Sequence, residues 1–112
     1  MKKEYRIKMS EQAKHFGITD RMNMCIEECS ELIQAISKIK RIAASGIVQG
    51  SDVDKAKQNL IEEIADVENL TQQIKELLCI EEKVEDAKQY KIDRTEQEIN
   101  LYYINKMLSL ID

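Results

Sequence analysis

Apolar side chains return every three or four positions along most of this chain, and the places where they stop doing so divide it into four helices. From about Asp20 to Ala44, the residues Met22, Cys25, Ile26, Cys29, Leu32, Ile33, Ile36, Ile39 and Ala43 keep that spacing. They share one face of a helix of about seven turns. Ahead of it, His15-Phe16-Gly17-Ile18 predicts a break: Gly17 can close a short helix that begins near Ser10, and Thr19 or Asp20 can cap the next one. The segment Ser45-Gly46-Ile47-Val48-Gln49-Gly50 is a second break. Ser51-Asp52-Val53-Asp54 follows it, a serine with an acid three residues on that resembles a capping box. A third helix then runs to about Cys79, with Leu60, Ile64, Val67, Ile74, Leu77 and Leu78 on its stripe. The last break, near Ile80, is placed by the change of pattern alone. Residues 81–98 are unusually polar before Ile99, Tyr102, Tyr103, Ile104, Met107 and Leu108 restore a stripe. One long final helix is expected there, half lining something polar and half packing on helices or on another subunit.

These elements predict an all-α, four-helix bundle, one short N-terminal helix plus three long ones. The composition agrees, with no proline and only three glycines to interrupt 112 residues. A chain of this length makes one domain, residues 1–112, whose core is small for a monomer. A homodimer or homotetramer is therefore expected. The net charge of -4 comes from 21 acidic and 17 basic residues spread along the chain, without the basic stripe that tracks a polynucleotide backbone, so no polynucleotide partner is expected. The basic start Met1-Lys2-Lys3-Glu4-Tyr5-Arg6 leads into no apolar signal region, and no run is long enough to cross a bilayer. The expected location is cytoplasmic, away from membranes. Cys25 and Cys29 lie four apart, but a thiolate metal site would also need Cys79 and His15; reduced core cysteines are the expectation.

Charge patterning changes the picture at two places, Ile26-Glu27-Glu28-x-x-Glu31-Leu32 and Ile61-Glu62-Glu63-x-x-Asp66-Val67. Acids three apart also occur as Glu82 with Glu85 and Asp93 with Glu96. Only the first two pairs sit between aliphatics on both sides. At about 100° per residue, Glu28 and Glu31 lie about 60° apart on one flank of the stripe, and Glu63 and Asp66 occupy the corresponding flank of theirs. Antiparallel packing would bring these four carboxylates together beside the core, where their repulsion calls for a cation. All-oxygen ligands point to a hard ion, Mg²⁺ or Mn²⁺. The one histidine, His15, lies in no Glu-x-x-His pair, which argues against a di-iron bundle.

Mg²⁺ usually binds through a few carboxylates plus substrate phosphates, so the cluster suits a polyphosphate and a water for in-line attack. Glu27 and Glu62, turned a further 100° or so round their helices, could be outer-shell groups or a base for that water. Fixed positive charge for the phosphates is offered by Lys88, Lys91 and Arg94 on the last helix, and by Lys38, Lys40 and Arg41 after the first motif. The competing reading is of solvated edge carboxylates paired with Lys38, Lys57 or Lys75.

With Glu-Glu-Cys-Ser-Glu at 27–31 and Glu-Glu-Ile-Ala-Asp at 62–66, the chain resembles the MazG family of all-α nucleoside-triphosphate pyrophosphohydrolases. The resemblance runs from about Phe16 to Arg94 and includes Lys91-x-x-Arg94. It implies Mg²⁺-dependent hydrolysis of an NTP or dNTP to the monophosphate and pyrophosphate, with Glu28, Glu31, Glu63 and Asp66 as metal ligands. Two features depart from the pattern: the interval between motifs looks long, and Arg21 stands where many relatives carry glutamine. Both leave the nucleobase open. The same superfamily includes phosphoribosyl-ATP pyrophosphatases, and a non-enzymatic helical interaction module is the alternative from another class.

Overall fold

The computed structural model describes residues 1–47 and 49–111; Val48, which the sequence assigns to the second break, lies outside them. The described residues form four helices and no strand: α1 (Lys3–Phe16), α2 (Ile18–Ala44), α3 (Ser51–Leu77) and α4 (Glu81–Ser109). The all-α expectation therefore holds, and the long elements fall where their periodicity places them. None of the described helices is long and apolar enough to cross a membrane.

The helix ends differ from expectation for physical reasons. α1 begins at Lys3 rather than near Ser10, because nothing between them breaks a helix, and its buried contribution is only Met9 and Ala13. Neither Thr19 nor Asp20 caps α2. Gly17 does both jobs at that joint: its N–H donates to the Ala13 carbonyl at 2.9 Å, and it is the residue before α2, at φ 82 and ψ 169, with no side-chain cap. That backbone region is open essentially to glycine alone. The capping box at Ser51 does not form either, since Gly50 is the N-cap and no side chain bonds there. Asp52 and Asp54 still favour that end of α3 by charge. The break near Ile80 is real, and Cys79 makes it with φ 55, a left-handed turn at a residue other than glycine.

The chain divides into two compact units, residues 1–79 and the part from Ile80 onward. In the first, α2 and α3 form a hairpin and α1 packs on both. Its buried apolar residues are Met9, Ala13, Ala35, Val53, Ala56 and Leu70, and the alanines among them allow helices to approach closely. Gln73 is buried with them, and both ends of its amide are used: Nε2 donates to the Met9 carbonyl at 3.2 Å and Oε1 accepts from Arg21 Nη1 at 3.2 Å. Ser10 Oγ donates to Glu76 Oε2 at 2.8 Å, a second tie between α1 and α3. The other unit is α4, which has no buried residue. The cysteines are not core residues as expected: Cys25 and Cys29 are half-buried, Cys79 is exposed and all three are free. The Sγ atoms of Cys25 and Cys29 lie 4.0 Å apart, and burial pushes the Cys25 thiol above its ordinary range.

Candidate metal centre

Because α2 and α3 run antiparallel, the two acidic motifs meet crosswise. Arg21 reaches Gln73 at one end of the hairpin, Glu28 shares a cleft with Asp66, and Glu31 shares the next with Glu63. The carboxylates of Glu28, Glu31 and Glu63 each bring an oxygen within 4.8 Å of the others. Asp66 stands outside that group, yet its charge bears on Glu28. The aliphatic context of the motifs is what brings Glu28 and Glu63 to the edge of the seam, while Glu31 and Asp66 stay exposed. Leu32, Leu60 and Val67 are partly buried beside them, so the neighbouring flank of each helix must line the hairpin seam.

Crowding leaves marks on two oxygens. Glu28 and Glu63 keep part of their surface in solvent, but Oε2 of each is shut off from water without a hydrogen-bond partner. Two ionised carboxylates cannot donate to each other. The Glu28 carboxyl is accordingly pushed up to about 7, first because protonation gives Glu63 a donor, then through desolvation and through the hydrogen bond with, and charge of, Glu31. None of the described lysines or arginines forms an ion pair with Glu28, Glu31, Glu63 or Asp66, so the expected edge pairs with Lys38, Lys57 or Lys75 are not made. Orphaned acceptors, clustered and all oxygen, fit a hard divalent cation held by Glu28, Glu31 and Glu63.

The remaining sequence-derived residues divide by location. Lys38 and Arg41 line a polar cleft of about 450 Å³ together with Glu31 and Glu63, so this cationic pair does stand beside the acids. Glu27 and Glu62 are exposed and outside the three-carboxylate group, and Glu62 Oε1 accepts from Gln58 Nε2 at 3.3 Å. Lys88, Lys91 and Arg94 belong to α4, in the second unit. There Lys88 pairs with Glu85 at 3.7 Å and Arg94 with Glu98 at 3.9 Å.

A smaller cleft of about 190 Å³ adjoins Glu28 and Asp66, lined also by Gln12, Arg21, Asn69 and Gln73. Sequence reasoning assigned none of these four to a site. A signal for two of them was available: Arg21 lies seven residues before Glu28 and Gln73 seven after Asp66, two turns along the same helix faces. Comparison with protein-family models, with curated proteins and with solved structures gives no match to this chain.

Proposed function

We propose that this chain is a Mg²⁺-dependent nucleoside-triphosphate pyrophosphohydrolase of the MazG type, with Mn²⁺ as a substitute ion, acting on free nucleotides in the cytoplasm. The observation that carries the reading is the three-carboxylate group with two orphaned oxygens and, among the described residues, no ion pair to it. A bound dication supplies neutralisation of the phosphates and a more acidic water. Glu28, Glu31 and Glu63 hold it, with Asp66 completing the ring of negative charge. Lys38 and Arg41, in the adjoining cleft, take the phosphates of the leaving pyrophosphate. Water attacks the α-phosphorus, the bond to the β-phosphate bridging oxygen breaks, and Glu27 or Glu62 accepts the proton of the attacking water.

The test is pyrophosphate release from a panel of NTPs and dNTPs with Mg²⁺. Turnover is expected on at least one, and Glu31→Gln or Asp66→Asn should reduce it by about 10²-fold or more while leaving the helical fold intact. Full activity in Glu31→Gln sinks the ligand assignment, and full activity in Asp66→Asn removes Asp66 from the site. Absence of turnover on every nucleotide, with no Mg²⁺-dependent rise in melting temperature, favours a helical interaction module instead.

A further inference from the structure

The smaller cleft differs from the larger in how its cation is held. The Arg21 side chain is 12% exposed, and its guanidinium carbon lies 4.1 Å from the centre of the Phe16 ring. Its Nε donates to Asp20 Oδ1 at 3.0 Å, Nη2 donates to the same oxygen, and Nη1 donates to Gln73 Oε1. Gln73 is itself anchored on the Met9 carbonyl. A guanidinium has five N–H donors, so one on each terminal nitrogen is left over. Asp20 already balances the charge of Arg21, whereas Lys38 and Arg41 in the larger cleft have no ion pair among the described residues. An anion is therefore drawn to the larger cleft, and Arg21 serves as a fixed pair of hydrogen-bond donors. Gln12 and Asn69 add neutral amides that have no hydrogen-bond partner among the described residues. The volume of about 190 Å³ falls below the roughly 300–1,000 Å³ of pockets that enclose a whole ligand. It suits one planar part of a ligand whose remainder lies elsewhere.

Resting on the pyrophosphohydrolase reading, we propose that this cleft receives the nucleobase and that Arg21 selects bases presenting a carbonyl oxygen: 6-keto purines and 4-keto pyrimidines. A guanidinium donates and cannot accept. A carbonyl at that position is satisfied by it, and the exocyclic amino group of adenine or cytosine would set donor against donor. The same chemistry underlies arginine recognition of guanine O6 and N7 in DNA. The nucleotide then lies along the hairpin, its base toward α1, its α-phosphate at the carboxylates and its terminal phosphates toward Lys38 and Arg41.

Inosine and adenosine triphosphates test the point, because they differ only at position 6 and the adjoining N1, where a keto oxygen and N1–H replace an amino group and a bare ring nitrogen. With Mg²⁺, the wild-type chain should favour inosine over adenosine triphosphate, and UTP over CTP, by about tenfold or more in kcat/KM. Arg21→Gln, whose amide both donates and accepts, should bring each ratio near one, mainly through a higher KM for inosine triphosphate. A merely structural role would lower kcat/KM for both nucleotides alike and preserve the ratio. Equal use of the keto and amino partners by the wild type overturns the proposal whether or not the variant folds, and so does an unchanged ratio in a folded variant. No turnover of any nucleotide by the wild type overturns the pyrophosphohydrolase reading itself, and this assignment with it.

Discussion

A proton on Glu28 supplies Glu63 with a donor it otherwise lacks, and this, with burial, raises Glu28 from 4.5 to about 7. A carboxyl whose folded value exceeds its unfolded one binds more protons when folded. Its contribution to stability is complete below 4.5 and is lost as pH rises toward about 7. In metal-free protein, Glu28→Gln should therefore remove a loss of stability that the wild type undergoes across that window. A dication competes for the same oxygens, so the Mg²⁺-induced rise in melting temperature should grow with pH through about 7 and then level off. A rise of equal size from about pH 5 to about pH 8 would contradict the assignment of Glu28 as a ligand. At this scale the acids were legible because aliphatics flank them, and Glu82, Glu85, Asp93 and Glu96, which lack that flank, lie on α4 outside the three-carboxylate group. Arg21 was legible only as an odd residue. Its meaning depends on Phe16 and Gln73, which contact it from the helix before and the helix after, and on Gln12, which lines the same cleft; the two-turn spacing to the acids marks its helix face but not these partners.

α2 and α3 could be drawn from the sequence because each repeats an apolar spacing over 27 residues. α1 could not be drawn in full, since only two of its 14 residues are buried. The capping residues were misjudged for a different reason. Serine, threonine and aspartate were available at the expected positions, but glycine backbones at Gly17 and Gly50 turn the chain more sharply than those side chains require. A Cβ added at Gly17 would meet nothing within 4 Å, so the effect of Gly17→Ala isolates the backbone. It should destabilise the fold by about 1–3 kcal/mol, read from the midpoint of chemical denaturation. An unchanged midpoint would mean that the joint relaxes into an ordinary conformation.

The first unit exposes large apolar side chains: Ile26 is 70% and Ile33 65% exposed on α2, and Ile61 is 59% exposed on α3. Ile26 and Ile33 line one apolar cleft with Met22 and Ile74, and a two-fold contact between copies needs only one such patch, the same on each. We propose a homo-oligomer built on this face, the expectation that the small core raised at the outset. Sedimentation of the full chain should give a dimer or tetramer, and Ile33→Glu should shift it toward monomer. A monomeric wild type would rule the contact out. Gln73 has a bearing on the molecule that reaches beyond packing. One end of its amide is committed to α1 through the Met9 carbonyl and the other to Arg21, so the aim of the guanidinium depends on α1 staying docked. The acids lie two turns away on α2 and α3 and do not share that dependence. Loosening of the first helix would blur the choice of nucleotide while hydrolysis continued, and fidelity would fail before turnover.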